Sequence, residues 1–401
     1  MLLLCENIFY ALVDKMMKTP MYDLIVVGSG VLGTFHAIHA ARMGKKVLLT
    51  EKDQYPVNAT VRNFGQVVPS GMASDWFPYA LRATELYKEI QQEFDISVRN
   101  NGTLYIPSDK EELQLILELK TKMDDSGYES VLLSATDCLA RYPSLKKEYC
   151  KGGLFFPQEV SVEPDQMIRK LISYAIGKYP NFSYKPATAI VECQVSGDGV
   201  SLVSAAGEMI RAEKAVICNG GEFKLLFADL FKESGITLCK LQMMKTLPMP
   251  EVKLEGNILT GLSIRRYESF QECLSFKKLS NPEDQHELKK WGVHILFKKG
   301  VDGSIIIGDS HEYAGVNESD DLGFKINHQI NELMMTEAQR IVNFDVRKIS
   351  ETWAGFYPQH KTKPIVEYDI DDRIHIRTAI GGKGMTSAAG YAEASIKKIY
   401  H

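Results

Sequence analysis

Residues 22–33 read YDLIVVGSGVLG, and this stretch decides the fold. Its first half is a short apolar run rich in β-branched residues, which predicts a buried parallel strand. The pattern GxGxxG follows at once, and residues 34–43 then predict a helix. A second apolar run, residues 46–50, ends at Glu51. A strand, a glycine turn, a helix, a second strand and an acid in this order are typical of a dinucleotide-binding unit.

Each part of this unit has a mechanical role. Gly28 permits the tight turn, Gly30 lets backbone amides approach a pyrophosphate, and Gly33 lets the helix pack closely on the strand. The helix N-terminus faces the phosphates. Glu51 is placed to accept hydrogen bonds from a ribose diol, and an acid at this position disfavours the 2′-phosphate of NADP.

Composition excludes several classes of protein. The chain has 401 residues, which predicts two or three domains or one α/β unit with a cap. Apolar residues make up 45% and charged residues 24%, so a disordered, collagen-like or coiled-coil protein is excluded. Acidic residues outnumber basic ones by 51 to 47, and the net charge of −4 gives no basic footprint for nucleic acid.

Three simple features of the sequence bear on the cellular compartment, on membrane spans and on metal sites. The seven cysteines are odd in number and far apart, which favours a reducing, cytoplasmic environment over a disulfide framework or a zinc site. No apolar run is long enough to predict a membrane span. The histidines show no metal-site spacing, so no metal is predicted.

Residues 1–20 read MLLLCENIFYALVDKMMKTP and need a separate interpretation. No basic region precedes the apolar start, Glu6 interrupts the apolar run, and no small-residue cleavage site follows. We therefore expect an extension outside the fold, with a docked helix and a targeting segment as the alternatives.

The segment after Glu51 favours FAD over NAD. Residues 58–66 read NATVRNFGQ, a polar stretch with small residues, where a plain NAD dehydrogenase would continue its βαβ repeats. From here the sequence resembles the D-amino-acid oxidase, glycine oxidase and sarcosine oxidase family of FAD enzymes, in which such a loop runs under the flavin. The further matches, which extend the resemblance over residues 22–400, are VEP at 162–164, TAI at 188–190, AVICNGG at 215–221, WAG at 353–355 and GGKGMT at 381–386.

Three stretches narrow the resemblance to one bacterial subfamily. They are residues 61–67, 240–244 and 307–313. That subfamily is associated with phosphonate breakdown and is proposed to deaminate an aminophosphonate. The substrate is thus implied by resemblance, and composition and spacing do not show it.

The resemblance implies an α/β fold with two domains, like that of glycine oxidase. A Rossmann-like FAD-binding domain would combine residues 21–85, 150–235 and 345–401, and a substrate domain would combine residues 86–149 and 236–344. Apolar runs at 258–264, 293–297 and 304–308 predict an antiparallel sheet over the flavin. Residues 300–303 predict a hairpin turn between two of these strands. Residues 76–94 and 110–125 predict helices.

The family pattern implies which residues meet the cofactor. No cysteine stands in sequence beside the last glycine turn, where covalent flavin links occur in sarcosine oxidases, so we expect noncovalent FAD. The helix N-terminus of that turn would face the flavin pyrimidine. The predicted cofactor-binding residues are Gly28, Gly30, Val31, Leu32, Gly33, Glu51, Lys52, Thr60, Arg62, Asn63, Gly65, Gln66, Ile190, Asn219, Gly220, Gly382, Lys383, Gly384, Met385 and Thr386.

Flavin oxidation of an amine needs little acid–base machinery, because the cofactor accepts the hydride and water hydrolyses the imine. Family members often have Arg-Pro soon after the W-x-G strand, and this arginine binds the substrate carboxylate. Tyr357 stands there instead, which puts an ordinary α-amino acid in doubt. The predicted catalytic residues are Lys240, His311, Tyr313 and Tyr357, and the predicted substrate-binding residues are Arg62, Arg265, Arg266 and Tyr267.

Lys240 is expected to face the flavin as a cation that activates oxygen, as a lysine does in sarcosine oxidases. The expected partners are a small primary or secondary amine and either O2 or another electron acceptor. The alternatives are a D-amino-acid, glycine or sarcosine oxidase or dehydrogenase, an NAD-dependent dehydrogenase, an FAD enzyme acting on RNA, and a flavin-binding scaffold without turnover.

Overall fold

The computed structural model describes residues 22–280 and 285–401. The predicted N-terminal extension, residues 1–20, lies outside the described residues. The strands, in chain order, are β1 Tyr22–Val27, β2 Val47–Thr50, β3 Gln66–Val67, β4 Thr103–Ile106, β5 Val131–Leu133, β6 Gly153–Phe156, β7 Val160–Ser161, β8 Phe182–Lys185, β9 Ile190–Ser196, β10 Gly199–Ser204, β11 Met209–Ile217, β12 Ile236–Thr246, β13 Asn257–Thr260, β14 Leu296–Lys299, β15 Ile305–Gly308, β16 Glu312–Gly315, β17 Ile349–His360, β18 Val366–Ile370 and β19 Ile374–Thr378.

The helices of the described residues are, in the same order, α1 Val31–Arg42, α2 Phe77–Glu93, α3 Lys110–Asp125, α4 Ala135–Arg141, α5 Pro164–Lys178, α6 Ala228–Lys232, α7 Gly261–Ile264, α8 Glu268–Gln271, α9 His286–Lys290, α10 His328–Ile341 and α11 Gly384–Tyr400. In this part of the chain we find no helix with both the length and the apolar character that a membrane span needs.

The first sheet has the order β18-β19-β11-β1-β2-β8, and β10 and β9 continue from β11. Strands β19, β11, β1, β2 and β8 are parallel. Alternation along β1 explains the layers on either side. Leu24 and Val26 pack in the core that contains α1, α2, α5 and α11, whereas Ile25 packs in the core on the opposite face. The predicted Rossmann-like sheet is confirmed.

The second sheet has the order β16-β12-β15-β14-β13-β4-β6-β5, with β17 paired to β12. Its pairs are antiparallel apart from β13 with β4. Residues 300–303 join β14 to β15 as the predicted hairpin, with Phe297 opposite Ile307. The predicted strand over 258–264 is wrong in its second half, because α7 begins at Gly261.

The two sheets follow the predicted division of the chain except at two strands. Strands β6 and β17 lie in segments that were assigned to the FAD-binding domain, yet both belong to the second sheet. The domain boundaries stay a prediction.

The last helix, α11, is held close to α2 at Gly390. A Cβ at this position would lie 2.1 Å from the Tyr79 carbonyl oxygen, so backbone and not a movable side chain fills the space. We expect Gly390→Ala to lower the free energy of unfolding by about 3 kcal/mol, since overpacking against backbone cannot relax cheaply. Thermal unfolding should show a melting temperature lower by roughly 4 °C.

Gly177 in α5 is the matched control, because no atom lies within 4 Å of a Cβ built there. Gly177→Ala should leave the melting temperature unchanged or raise it, since alanine favours a helix by about 1 kcal/mol relative to glycine. Equal effects of the two variants would contradict the packing of α11 on α2.

Candidate functional site

A cleft of about 810 Å³ opens at the carboxyl ends of β1, β2 and β11, where parallel sheets of this kind bind ligands. Eight of the predicted cofactor-binding residues line it: Gly28, Gly30, Glu51, Lys52, Thr60, Ile190, Asn219 and Gly220. Sequence reasoning did not assign its apolar wall to the cofactor. That wall includes Pro56, Val57, Leu225 and Leu226, which lie in irregular segments without a periodic pattern that could identify them.

The first glycine turn packs closely against the main chain of neighbouring residues. Gly28 has φ +97°, and a Cβ there would lie 2.2 Å from the Cys218 carbonyl oxygen. A Cβ at Gly33 would lie 1.9 Å from the Gly28 carbonyl oxygen. For a Cβ at Gly30, the close neighbour within residues 22–280 and 285–401 is the Thr60 hydroxyl oxygen, at 3.1 Å. The fold therefore requires glycine at the first and third positions, whereas the second faces the cleft.

Glu51 closes the turn from the other side. Its Oε2 accepts hydrogen bonds from both the backbone N–H and the hydroxyl of Ser29, each at 3.0 Å. Its Oε1 accepts a longer bond, of 3.2 Å, from the N–H of Asp53. The carboxylate is thus held in one orientation at the edge of the cleft, where a ribose would meet it.

The groups in the cleft fit an adenosine diphosphate moiety. The turn supplies a backbone surface without side chains at the start of α1, as a pyrophosphate requires. The Oδ1 atom of Asn219 is a buried acceptor without a hydrogen-bond partner among the described residues, so it is available to a hydroxyl donor. The Val31 N–H is bound to the Thr60 hydroxyl at 3.0 Å, which ties the predicted flavin loop to the first turn of α1.

The loop at residues 58–66 is held by Asn63 and Arg62. The Asn63 amide donates to the carbonyls of Ala59 and Thr60 and accepts from the Gly65 N–H. The Arg62 guanidinium donates to the carbonyls of Val57, at 2.6 Å, and Ala354, at 2.9 Å. These bonds use two of the five donors of the guanidinium and fasten the loop to β17. Binding of a substrate anion by Arg62 stays a prediction.

The last glycine turn begins α11 and faces this loop. The Thr386 hydroxyl accepts from the Val68 N–H at 3.3 Å, and the Lys383 ammonium group lies 2.9 Å from the Glu268 carboxylate. A Cβ at Gly382 would lie 3.9 Å from the Tyr357 hydroxyl oxygen. The turn therefore stands directly beside the second sheet at Tyr357.

Strand register determines which side chains share this side of the second sheet. Cys239 of β12 is opposite Tyr313 of β16 and Tyr357 of β17, so these three residues form one row. Burial raises the pKa of Tyr357 well above its usual value and that of Cys239 to about 12, and both groups are neutral at pH 7. The predicted residues Tyr313 and Tyr357 are thus brought together.

Lys240 is the next residue along β12, so it lies on the opposite face from Tyr357. Its ammonium group donates to the carbonyls of Leu322, at 2.8 Å, and Lys325, at 2.7 Å, and lies 3.7 Å from the Glu312 carboxylate. The expectation that Lys240 faces the flavin is therefore corrected by the strand register.

A buried polar cluster adjoins the row, formed by His294, Asp309 and His311. Asp309 Oδ1 lies 2.8 Å from Nε2 of His294 and 3.9 Å from Nδ1 of His311. The two imidazole rings are stacked at 5.3 Å. Sequence reasoning found His311 but missed the other two. The available signal was alternation, because Asp309 and His311 are two positions apart in an extended segment and Tyr313 follows after another two.

Arg266 and Tyr267 complete this cluster. One terminal nitrogen of the Arg266 guanidinium, Nη2, donates to the Tyr313 hydroxyl at 3.1 Å, and the Tyr267 ring meets that of His294 edge to face at 6.0 Å. Among the described residues, no carboxylate lies within 4.0 Å of the Arg266 guanidinium. These two predicted residues therefore join His311, Tyr313 and Tyr357 at one site.

Arg265 has a different environment, although it is adjacent in sequence. Its guanidinium contacts the carboxylates of Asp109 at 2.7 Å, Glu111 at 3.0 Å and Glu112 at 2.7 Å. Three acids fix this side chain between α7 and the N-terminus of α3. The prediction that it binds substrate is corrected, since its donors are used within the protein.

At pH 7 the cluster contains one negatively charged group and one positively charged group. Burial lowers the pKa of His311 to about 3 and lowers that of His294 as well, so both are neutral at pH 7. Burial alone would raise the pKa of Asp309, but the nearby His311, His294 and Arg266 hold it below its usual value. The site thus contains a carboxylate and a guanidinium that are not paired with each other.

The other predicted cofactor-binding residues have contacts within the protein or open surroundings, and their contact with the cofactor stays a prediction. Leu32 is buried in α1, and a Cβ at Gly65 would lie 2.3 Å from the Val162 carbonyl oxygen. The Gln66 amide donates to the Phe297 carbonyl at 3.2 Å, and Met385 is buried. At Gly384 the nearest neighbour of an added Cβ in the described part of the chain is the Ile380 side chain, at 3.6 Å.

The family model described as FAD dependent oxidoreductase (DAO) matches residues 23–397. The chain therefore belongs to the DAO family of FAD-dependent oxidoreductases, and its cofactor is FAD. The predicted enzyme class is confirmed, and NAD is excluded as the cofactor of this site.

Similar proteins include a glycine oxidase from Bacillus licheniformis, 25% identical over 353 residues, with 84% of this chain and 81% of that protein covered. An N-methyl-L-tryptophan oxidase from Escherichia coli K12 is 28% identical over 217 residues, and the match spans 52% of this chain and only 56% of that protein. Among solved structures, glycine oxidase from Geobacillus kaustophilus gives a TM-score of 0.74 at 16% identity, with 95% of each chain covered. The predicted glycine oxidase-like fold is confirmed.

We expect Gly30→Val to abolish retention of FAD, because the side chain would occupy the cleft where the pyrophosphate approaches the turn. The fold should survive, since only the Thr60 hydroxyl lies near the new Cβ. The measurement is the flavin content of the purified protein, with Gly177→Val as the control for β-branching at an open glycine. A variant that is yellow and fully loaded would contradict the assignment of this turn.

We expect Arg62→Ala to weaken the affinity for FAD by about tenfold, since two hydrogen bonds from a charged donor are lost. Titration of the apoprotein with FAD would measure this. At saturating FAD the half-saturation for substrate should match wild type. The matched control is Arg347→Ala, which removes a surface arginine paired with Glu332. An unchanged FAD affinity with impaired substrate binding would restore Arg62 as a substrate ligand.

Proposed function

We propose that this enzyme oxidises a small primary or secondary amine that carries an anionic group, and specifically an aminophosphonate. When bound, FAD supplies the acceptor for the hydride that leaves the α-carbon, and water hydrolyses the resulting imine. The observation that carries the proposal is the Arg266 guanidinium, which is half-buried beside Tyr313 without a carboxylate partner among the described residues.

The proposed cofactor contacts follow the geometry of the cleft. Glu51 would hold the ribose, and the turn at Gly28 and Gly30 would hold the pyrophosphate at the N-terminus of α1. The adenine would lie near Ile190. The N-terminus of α11, next to Gly382, would meet the flavin pyrimidine and stabilise negative charge there. We therefore expect the substrate to lie beside Tyr357, close to the last glycine turn.

Arg266 is suited to an anion at that position. A guanidinium withdrawn from water binds carboxylate or phosphonate oxygens strongly, because the competing solvent is reduced and its donors are fixed in a plane. A phosphonate has three oxygens and up to two negative charges, so it can use the Arg266 fork and the Tyr313 hydroxyl together. The family's usual carboxylate-binding arginine is replaced by Tyr357, which also favours a different anion.

An amino-acid oxidase is the second candidate. Arg266 could bind a carboxylate bidentately, and the similarity to a glycine oxidase and an N-methyl-L-tryptophan oxidase supports that class of substrate. The two candidates share the site and differ in the anion.

Anaerobic reduction of the bound flavin separates the two candidate substrate classes. The reduction is monitored in a stopped-flow instrument as the loss of the visible absorption band of the flavin. We expect 2-aminoethylphosphonate to reduce the flavin faster than glycine, sarcosine or D-alanine at equal concentration. Arg266→Gln should raise the half-saturation for the phosphonate by at least about tenfold, which is about 1.4 kcal/mol.

The matched control is Arg347→Gln, because Arg347 is a surface arginine paired with Glu332 at 2.9 Å. This variant should behave like wild type. If glycine, sarcosine or D-alanine reduces the flavin faster, the phosphonate proposal fails and the enzyme is an amino-acid oxidase. If Arg266→Gln retains the wild-type half-saturation, the anion binds elsewhere.

A further inference from the structure

Asp309 is a carboxylate with an unusual position in the candidate substrate site. It faces the rings of His294 and His311, and its charge also acts on Tyr267, Tyr357 and Cys239. The residue is 8% exposed. A carboxylate in such surroundings loses hydration, so it needs a cationic or hydrogen-bonding partner.

The groups around Asp309 meet this need only in part. The Oδ1 atom of Asp309 lies 2.8 Å from His294 and 3.9 Å from His311, but it is buried without an aligned hydrogen bond among the described residues. Both imidazoles are neutral at pH 7, because burial lowers their pKa values. The Arg266 guanidinium is more than 4.0 Å away, since no ion pair joins it to Asp309. A charged acceptor is therefore left for a ligand.

His311 is oriented by its own hydrogen bond. Its Nδ1 lies 2.9 Å from the Gly292 carbonyl oxygen, which can only accept, so the proton is assigned to Nδ1. The lone pair of the neutral ring is then on Nε2, which has no protein partner among the described residues. A base with a free lone pair thus stands beside the carboxylate.

We propose that Asp309 recognises the ammonium group of the substrate, and that the Nε2 lone pair of His311 accepts a hydrogen bond from this group. The inference rests on the proposed function in taking the substrate as an amine with an anion at Arg266. A neutral imidazole suits this role, because it orients an N–H donor without adding a competing positive charge.

The carboxylate supplies the charge, and the neutral imidazole supplies the direction. Asp309 balances the ammonium, and the ammonium in turn replaces the hydration that the buried carboxylate has lost. The substrate class becomes narrower: a zwitterion, with its cation at Asp309 and its anion at Arg266. His294 is a positioning residue that shields the other side of the carboxylate.

A bound metal ion is the rival explanation of the cluster. The ligand atoms of His294, Asp309 and His311 lie within 4.8 Å of one another. Against a metal ion, Nδ1 of His311 carries the proton that it shares with the Gly292 carbonyl oxygen, so this atom has no lone pair for a metal. Elemental analysis of the purified protein, described below, separates the two explanations.

The experiment compares an amine with its amine-free analogue on the FAD-loaded enzyme. The half-saturation for 2-aminoethylphosphonate is measured from anaerobic flavin reduction, and the affinity for ethylphosphonate from its perturbation of the flavin spectrum. Asp309→Asn should weaken the aminophosphonate by at least about tenfold, because a charge partner is lost. It should leave ethylphosphonate unchanged or tighter. The control Asp372→Asn removes an exposed acid paired with Lys214 and should change neither.

Two further variants test the two ends of the proposed binding site, Arg266 at the anion and His311 at the ammonium group. Arg266→Gln should weaken both ligands, since each carries the phosphonate. His311→Gln should raise the half-saturation for the aminophosphonate more than it weakens ethylphosphonate, because only the ligand with an ammonium group donates to Nε2. If Asp309→Asn weakens both ligands equally, its role is structural and the inference fails. It also fails if neither ligand is weakened, or if elemental analysis finds one metal ion per chain that depends on Asp309.

Failure of the proposed function has a separate signature. If wild-type flavin is reduced by glycine or D-alanine and not by the aminophosphonate, the proposed substrate is wrong. The test of Asp309 then uses the pair glycine and acetate, or D-alanine and propionate, with the same expected selectivity. If none of these amines reduces the flavin, both proposals are overturned.

Discussion

The close approach of backbone around the first glycine turn is the constraint on which the site depends. The chain leaves β1, turns at Gly28 against the Cys218 carbonyl, and enters α1 with Gly33 against the Gly28 carbonyl. Because these contacts join β1 to the end of β11, they also fix the edge of the cleft beside Asn219. A side chain at either glycine would separate the strand from the helix and remove the surface that a pyrophosphate needs.

The second constraint is strand alternation in the other sheet. Cys239, Tyr313 and Tyr357 share one face because β12 pairs with both β16 and β17 in matching register. Shifting the register by one residue would bring Lys240 to this face and remove the tyrosines from it. The side chains presented by the second sheet thus depend on how β12 pairs with its neighbouring strands. The backbone surface of the cofactor cleft depends on the glycine turns. The two meet where Gly382 approaches Tyr357.

The cofactor half was predictable from sequence because its signals are local. The strand at residues 22–27 and the helix at 110–125 were predicted with their observed bounds, and eight predicted residues line the cleft. The substrate half depends on contacts between distant segments. Arg265 and Arg266 are neighbours with equal charge. Only the tertiary structure places three acids around the first, and none of the acids in the described ranges within 4.0 Å of the second. Lys240 was misplaced for a similar reason, since strand register is not encoded locally.

The separation of charge in the substrate half has a physical consequence of its own. Asp309 and Arg266 would neutralise each other if they were in contact, and a direct ion pair would recover part of the desolvation cost that each has paid. The fold keeps them apart, with neutral histidines and tyrosine hydroxyls around them. Each charge is left incompletely compensated until a ligand supplies its complement. A molecule with only an anion or only a cation satisfies one pole and leaves the other, whereas a zwitterion of matching length satisfies both. The proposed selectivity for such a molecule would then arise from the fold itself, which holds the two charges apart at fixed positions.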